Sequence, residues 1–318
     1  EARRAHVTQF IPVSVTSRRE VAADICEFVL HPQGGEPLPD AQAGAHIGVE
    51  APNKAMRQYS LVRPGPAPDT YTIAVKREAN GRGGSDAMHT VQVGDVLNIL
   101  PPVNDFPLGD APSYFLIAGG IGVTPIYSMA QELVERGGTL RMIYCARSAE
   151  DAAYVPELEA LLGDRLTVHY DGGDLAQVYD FWDDFVEPSK EHVYCCGPGP
   201  LMEEIKGISG HWPDGAVHFE DFAGVAVTRD DDAPFDVTLQ KSGQTFTVPA
   251  DRSILEALRD AGVETLSSCE SGTCGTCRCG LISGEADHRD MVLMEEEKGD
   301  QIMICVSRAA AGNLVLDL

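Results

Sequence analysis

Four cysteines near the C-terminus have the spacing of iron–sulfur cluster ligands: Cys269, Cys274, Cys277 and Cys305. Four residues separate the first two and two residues separate the next pair, whereas the fourth cysteine lies far downstream. This C-x4-C-x2-C…C pattern is typical of plant-type 2Fe–2S clusters, in which each iron takes two thiolates besides the bridging sulfides. Because such a cluster carries one electron at a time, the pattern predicts a role in electron transfer.

Glycines within and beside this loop suit a chain that wraps around a cluster. Gly272, Gly275 and Gly280 can take positive φ values and allow close backbone approach. A structural zinc site is the main alternative, but zinc sites usually pair their ligands as two C-x2-C units, and only one is present. The iron–sulfur interpretation is therefore favoured. Four other cysteines are interpreted as packed thiols: Cys26, Cys145, Cys195 and Cys279.

Length and composition limit the possible function classes. The chain has 318 residues, which predicts two or three domains. Its net charge of −25 argues against nucleic-acid binding and suits either docking on a basic partner or plain solubility. Glycines and prolines interrupt the longest uncharged run, residues 111–130, so no membrane span is expected. The nine cysteines form no disulfide framework, which favours the cytoplasm. No dimerisation element is evident, and a monomer is expected.

Residues 1–107 carry alternating or β-branched runs punctuated by proline and glycine. This pattern predicts a small antiparallel β-barrel. The predicted strands are residues 6–16, 25–30, 45–49, 58–62, 70–76 and 96–100.

Strands alternate with helices in residues 108–225, which predicts an α/β domain with a parallel sheet. Its predicted strands are 114–118, 140–145, 166–170, 192–196 and 216–219, and its helices are 125–136, 155–162 and 201–208. Residues 226–234 are predicted to be a linker. The rest, 235–318, has the size of a ferredoxin domain, with strands at 235–239, 244–248 and 301–304 and a helix at 253–261.

Two segments of the first domain suit a flavin. The sequence Arg57-Gln58-Tyr59-Ser60 offers an aromatic ring that could pack on a flavin and a hydroxyl that could reach a ring nitrogen. The glycine-rich segment 81–85 opens a predicted helix at 86–91, and the N–H groups of a helix N-terminus bind phosphate. Within that segment Arg82 adds a cation. An ordinary strand and a flexible hairpin are the simpler interpretations of each segment alone.

Two glycine turns of the second domain suit a nicotinamide cofactor. The first parallel strand runs into Gly119-Gly120-Ile121-Gly122-Val123-Thr124-Pro125, which differs from the Rossmann fingerprint but places a turn before a helix. The fourth strand ends in Cys196-Gly197-Pro198. Open α/β sheets bind ligands at the carboxyl ends of their strands. Each segment alone could equally be a tight βα turn.

Taken together, these motifs resemble the phthalate dioxygenase reductase family of the ferredoxin–NADP reductase superfamily. The resemblance covers essentially the whole chain and implies a multidomain fold: an antiparallel β-barrel for flavin, an α/β parallel-sheet NAD domain and an α+β β-grasp ferredoxin domain. It implies FMN, NADH and a 2Fe–2S cluster as cofactors, although spacing alone leaves FMN against FAD and NADH against NADPH open.

The resemblance also implies roles for individual residues. The flavin contacts would be Arg57, Tyr59, Ser60, Ala74, Val75, Lys76, Arg82, Gly83, Gly84, Ser85 and Phe222. The nicotinamide-cofactor contacts would be Gly120, Thr124, Arg147, Cys196, Gly197 and Pro198. Ser60, Thr124 and Cys196 are the candidates for residues that touch the reacting rings. Cys195 doubles the family's single cysteine before Gly-Pro, which leaves the residue beside the nicotinamide ambiguous.

The implied function is electron transfer from NADH through FMN and the 2Fe–2S cluster to a partner. The implied partner is an oxygenase with a Rieske centre that acts on an aromatic, phthalate-like acid. The reductase of a demethylase or of a carnitine-type Rieske oxygenase is an alternative, as is a redox-sensing iron–sulfur flavoprotein or a zinc-binding module. The acidic residues Glu295, Glu296, Glu297 and Asp300 are candidates for docking a basic face of the partner, with a solvated surface as the simpler interpretation.

Overall fold

The computed structural model describes residues 10–66, 68–78, 81, 83–222, 227–229, 231–267, 270, 272 and 275–318. The chain divides into two compact units, Glu1–Phe222 and Ala223–Leu318. No helix in the described ranges has the length and apolar character needed to cross a membrane.

Six antiparallel strands form the sheet of the N-terminal region. They are β1 Ile11–Ala22, β2 Ile25–Pro32, β3 His46–Glu50, β4 Met56–Ser60, β5 Tyr71–Lys76 and β6 Val96–Ile99, with helix α1 at Gly84–His89. The strand order is β4-β3-β6-β1-β2-β5. A bridge between Leu61, just after β4, and Ile73 of β5 joins the two edges. The predicted antiparallel barrel is confirmed.

Strand β1 continues well past the predicted end at residue 16. Its second half, up to Ala22, exposes polar side chains and contains register shifts after Val15 and after Glu20. This half of β1 carries no periodic signal in the sequence, because its side chains are mostly polar and exposed. Pairing to β2, rather than burial, holds it in the sheet. Residues 6–9 of the predicted strand lie outside the described residues.

The second region is a five-stranded parallel sheet flanked by helices. Its elements are β7 Ser113–Gly119, α2 Val123–Glu135, β8 Leu140–Ala146, α3 Val155–Leu162, β9 Leu166–Tyr170, α4 Trp182–Phe185, β10 Glu191–Cys196, α5 Gly199–Ile208 and β11 Val217–Glu220. The order is β11-β10-β7-β8-β9, so the chain reverses its direction of sheet growth between β7 and β10. Such a reversal opens a crevice at the carboxyl ends of the two strands.

Barrel and parallel sheet share an apolar core within the first unit. Val62 and Ala74 from the barrel belong to the same buried cluster as Val123 and Ile126 of α2. Buried apolar area of this kind is the dominant stabilising term in folding. The shared core therefore fixes the barrel strands against the sheet.

The second unit is a mixed five-stranded sheet with one helix. Its elements are β12 Phe235–Leu239, β13 Thr245–Val248, α6 Ile254–Asp260, β14 Arg278–Asp287, β15 Gln301–Met303 and β16 Arg308–Leu316. The order is β13-β12-β16-β14-β15, with β12 and β16 parallel and the other pairs antiparallel. Ser253 and Glu256 form a capping box at the start of α6. The predicted β-grasp fold is confirmed.

A buried ion-pair network ties the segment before β12 onto this unit. Arg289 donates through Nη1 to the Val227 carbonyl and to Asp232 Oδ2, each at 2.9 Å. Arg308, which is 1% exposed, donates to the Ala233 carbonyl at 3.1 Å and lies with its Nε 3.4 Å from Asp232 Oδ2. We call Asp232, Arg289 and Arg308 the clasp. The domain boundaries at 107, 225 and 234 stay predictions.

Candidate functional site

Strand β4 ends in Tyr59 and Ser60, two of the residues predicted to contact a flavin. Tyr59 pairs with Ile47 and Ser60 with His46 across the antiparallel ladder. The Tyr59 hydroxyl is buried and has no hydrogen-bond partner within the described residues, and burial raises the pKa of this phenol. Since buried polar groups are normally satisfied, this orphaned hydroxyl fits a site that a polar ligand completes.

Arg57 and helix α1 form the second part of this site. A Cβ atom on Gly84 would lie 2.7 Å from Arg57 Nε, so the guanidinium packs directly on the first residue of α1. Gly83 precedes the helix at φ 74°, a conformation that glycine takes without strain. A cation and a glycine backbone therefore meet here, which fits a phosphate group. Arg82 lies outside the described residues.

Two further residues predicted for this site have other contacts. The Ser85 hydroxyl accepts from the Glu78 backbone N–H at 3.0 Å, which leaves its own O–H able to donate. Lys76 is exposed and pairs with Glu78 at 3.1 Å. Phe222 is exposed two residues after β11.

The two predicted glycine turns meet at the point where the strand order reverses. A Cβ atom on Gly122 would lie 2.2 Å from the Cys196 carbonyl oxygen, and one on Gly197 would lie 3.0 Å from Gly119 Cα. The backbones after β7 and β10 thus touch, and any side chain would push them apart. Strand β5 lies beside the turn of residues 120–122, which brings the predicted flavin and nicotinamide segments together.

Thr124 closes the first of these turns. Its Oγ1 is buried and donates to the Ile121 carbonyl at 3.0 Å. Tyr144 donates from its hydroxyl to the Gly120 carbonyl at 3.2 Å and supports the turn from β8. These bonds hold the glycine backbone in one conformation.

The two adjacent cysteines at the end of β10 face opposite sides of the sheet. Cys196 belongs to the buried cluster that contains Ala74 and Val123, whereas Cys195 packs in the cluster on the other face. Burial raises the pKa of the Cys196 thiol well above its usual range, so at neutral pH it is a small uncharged group. Of the two, Cys196 lies on the same side as Ala74 of β5.

Glu220 is a candidate that sequence reasoning missed. It ends β11, in register with Cys196, and is largely buried. Its Oε2 has no hydrogen-bond partner within the described ranges. Burial, with a smaller effect from Asp105, raises the pKa of this carboxyl to about 8. Its place at the carboxyl end of the last parallel strand was the available signal.

Arg147 lies at the far end of the sheet, after β8. The Gly172 backbone N–H donates to its carbonyl at 2.8 Å, which places the turn after β9 beside it. Asp171 begins that turn and accepts from the Gly173 N–H at 2.7 Å. Asp171 was also missed, since a single aspartate before two glycines has the pattern of any turn.

Two predicted cluster ligands are described, and both are buried. Cys277 precedes β14 and Cys305 follows β15 by two residues, in a turn rather than on the strand itself. The Ile304 N–H donates to the Cys277 carbonyl at 3.4 Å, so the two segments are neighbours. Gly272 and Gly275 have φ values of 78° and 81°, whereas Gly280 lies in β14 without a positive φ. Cys269 and Cys274 lie outside the described residues.

Cys279 is buried in the core of the second unit, as a packed thiol would be. Burial raises its pKa to about 11, and its Sγ donates to the Gly280 carbonyl at 3.6 Å. A neutral, buried thiol is a poor nucleophile and oxidises slowly.

Comparison with known proteins gives matches along the chain. A model described as a 2Fe-2S iron-sulfur cluster binding domain matches residues 237–310, and one described as an oxidoreductase NAD-binding domain matches residues 116–207. Phthalate dioxygenase reductase of Burkholderia cepacia is 47% identical over 97% of this chain and 98% of its own length. Vanillate O-demethylase oxidoreductase of a Pseudomonas species is 39% identical over 97% and 100%.

A solved structure is similar over the same extent. It is that of a phthalate dioxygenase reductase, described as a modular structure for electron transfer from pyridine nucleotides to [2Fe–2S]. The TM-score is 0.84 at 47% identity, covering 97% of this chain and 98% of that one.

Proposed function

We propose, given that this chain belongs to the phthalate dioxygenase reductase family, that it supplies electrons to a Rieske-type oxygenase acting on an aromatic acid. The chain is an oxidoreductase of the electron-transfer class, with FMN, NADH and a 2Fe–2S cluster as its cofactors. When bound, NADH supplies a hydride, FMN accepts the electron pair and the cluster passes single electrons. The close contact of the two glycine turns beside β5 supports the first half of this electron path, from the nicotinamide to the flavin.

The first group of proposed contacts holds the flavin. Arg57, together with the backbone of Gly83 and Gly84, would bind its phosphate, and Ser85 would donate from its hydroxyl. Tyr59 would hydrogen-bond or pack on the ring system, and Ser60 would face a ring nitrogen. The backbone of Ala74 and Val75 would line the ring edge, with Lys76, Arg82 and Phe222 as further contacts. A terminal phosphate between a cation and a glycine turn favours FMN over FAD.

The second group places the nicotinamide. Gly120, Gly197 and Pro198 would form the backbone walls of the crevice between β7 and β10, and Thr124 would keep the first wall in shape. Cys196 would contact the ring as an uncharged group. Hydride transfer moves no separate proton, so Ser60, Thr124 and Cys196 need only position the rings, and no general base is assigned.

The residues that follow β8 and β9 support NADH over NADPH as the cofactor. Arg147 would meet the pyrophosphate, and Asp171 lies beside it at the end of β9. An acidic side chain at such a position suits a ribose hydroxyl and repels the charge of a 2′-phosphate.

Names of the relatives support an oxygenase as the partner. The relatives at 47–48% identity are reductases of phthalate dioxygenases, whereas two toluene-4-sulfonate monooxygenase reductases stand at 40–41%. We therefore place a phthalate-like acid first among the oxygenase substrates. The reductase of a demethylase is the second candidate, supported by the vanillate relative at 39%.

The experiment that tests the proposed function is an anaerobic visible spectrum before and after a slight excess of NADH. Flavin and iron–sulfur bands that bleach together are expected, because electrons entering at the flavin reach the cluster. A colourless protein, or bands indifferent to NADH, would rule out the reductase function. Adding oxidised phthalate dioxygenase oxygenase component should then restore the cluster bands.

A second prediction concerns the pH dependence that Glu220 gives the protein. Its pKa in the folded state, about 8, lies above the ordinary value of about 4.3, so folding favours the protonated form. This stabilisation is complete below about pH 4 and is lost as the pH rises through about 8. In the cofactor-free protein, Glu220→Gln should therefore match the parent in urea unfolding at about pH 4 and exceed it at about pH 9.

The matched control for this prediction is Glu203→Gln. Glu203 is exposed and pairs with Lys206 on α5, so its substitution should leave the unfolding midpoints nearly unchanged at both pH values. Equal pH dependence in the parent and the Glu220→Gln variant would show that Glu220 is ionised in the folded state.

A further inference from the structure

Two methionines near the cluster loop are displayed to solvent. Met291 and Met294 are 75% and 68% exposed, more than the other large apolar side chains described in the second unit. Scattered exposed apolar residues are normal on protein surfaces. These two, however, lie three residues apart in one short segment between β14 and β15, next to the proposed electron carrier.

The backbone that carries them is held in place. The Val292 and Leu293 N–H groups both donate to Asp290 Oδ2, at 3.1 and 2.8 Å. The Met294 N–H donates to Glu297 Oε2 at 3.0 Å. Leu293, between the two methionines, is buried in the core. These contacts hold the backbone of the segment in place, and the side chains of Met291 and Met294 remain exposed, where a partner could contact them.

This segment lies directly against the cluster loop. The Met291 N–H donates to the Gly272 carbonyl at 3.0 Å, and Gly272 stands between the predicted ligands Cys269 and Cys274. A Cβ atom on Gly275 would lie 3.4 Å from Val292 Cγ1. A protein that binds over Met291 therefore comes close to the loop that holds the cluster.

The four acidic residues of the same segment differ in their contacts. Glu297 accepts from Arg278 Nη1 at 2.8 Å as well as from Met294, so its carboxylate has a structural role. Glu295 pairs with Lys298. Glu296 and Asp300 are exposed and face solvent. Of the four acidic residues predicted to dock a partner, Glu296 and Asp300 are the exposed ones with no ion pair among the described residues.

We propose that Met291 and Met294 form the apolar centre, and Glu296 and Asp300 the acidic rim, of the surface on which the electron acceptor docks. Its occupant is a redox protein with an apolar patch and basic rim around its own centre. A second copy of this chain does not suit the surface, because a net charge of −25 would meet its like. Methionine is polarisable, adapts to irregular surfaces and is enriched at interfaces. The inference rests on the proposed function.

The test compares three electron acceptors in the double variant Met291→Gln/Met294→Gln. Glutamine keeps the length of the side chain but removes its apolar surface. With cytochrome c, a basic one-electron carrier, the second-order rate of cluster oxidation should fall at least tenfold. Reduction of ferricyanide, a small anion that needs no docking surface, should stay within twofold. Cluster reduction by NADH within the same chain should also stay within twofold.

The matched control is Ile282→Gln, which removes an exposed apolar side chain from β14 in the same unit. It should leave all three rates unchanged. Glu296→Gln/Asp300→Asn should flatten the fall of the cytochrome c rate with salt, since rim charges act on the encounter. The methionine variant should keep the parent's salt dependence.

Several outcomes would overturn the inference. An unchanged cytochrome c rate, or an equal loss in Ile282→Gln, would remove the methionines from the docking surface. Parallel loss of NADH-driven cluster reduction would assign them to electron entry instead. Failure of the proposed function is distinct, since the parent protein would then show no NADH-dependent bleaching at all.

Discussion

Replacing Cys277 by serine is expected to lower electron delivery to cytochrome c at least 100-fold while NADH still reduces the flavin. Serine is a poor ligand for iron, and a plant-type cluster needs four thiolates. The flavin and nicotinamide segments lie in the other unit, so their chemistry does not depend on Cys277. The measurements are the visible spectrum, the iron content and the rates of flavin reduction and cytochrome c reduction.

Cys279→Ser is the matched control, because Cys279 is a buried cysteine two residues away that faces the core as a neutral thiol. It should retain its iron and its cytochrome c rate, with a modest loss of stability on the order of 1–2 kcal/mol from placing a hydroxyl in the core. Normal iron content in Cys277→Ser, or iron loss in both variants, would refute the assignment of Cys277 as the ligand and Cys279 as the bystander.

The second large effect is expected at the clasp. Asp232→Asn should destabilise the cluster-bearing unit by about 3 kcal/mol, because it leaves buried Arg289 and Arg308 without their shared carboxylate. In urea the cluster absorbance should be lost at lower concentration than in the parent. Flavin release, which reports on the first unit, should keep its midpoint.

Asp317→Asn controls for the change of charge in the same unit. Asp317 pairs with Lys241 at the surface at 3.1 Å, and such pairs contribute about 0–1 kcal/mol. If both variants lose cluster absorbance at the same urea concentration, the buried network adds nothing beyond surface charge.

Acid should reproduce the effect of this substitution. The hydrogen bond from Arg289 is the largest cause that lowers the pKa of Asp232, to about 2. The carboxylate therefore stabilises the folded unit above its ordinary pKa of about 3.9, and this contribution is lost as the pH falls through about 2. The parent and Asp232→Asn should converge in stability across that window.

Sequence patterns identified the strands of the first unit, three of the five strands of the second unit and the glycine turns, because these depend on periodic burial and on local backbone freedom. Strands β14 and β16 were not predicted. The parallel sheet follows from alternating strand and helix patterns. The contact between Gly122 and Cys196 shows that the two glycine turns meet, as the observed strand order implies. Glycine is needed at such a position because a side chain would clash with the neighbouring backbone.

Isolated carboxylates escaped prediction, since their roles depend on which strands become neighbours. Glu220 is unusual only because β11 pairs with β10 and buries it beside Cys196. Glu297 looked like part of an acidic docking run, yet it accepts from Arg278 and Met294. The predicted linker, residues 226–234, contains a run of charges that suggested exposure. One of them, Asp232, has a side chain that is buried against two arginines.

The burial of the cysteine thiols and the exposure of two methionine thioethers determine which sulfur atoms should be oxidised first. Burial raises the pKa of the Cys145, Cys195 and Cys279 thiols, so peroxide meets few reactive thiolates among them. The exposed thioethers of Met291 and Met294 have no such protection, and sulfoxide formation would make them polar. On the proposed docking surface, this oxidation should weaken the binding of protein acceptors, and methionine sulfoxide reductases can reverse it.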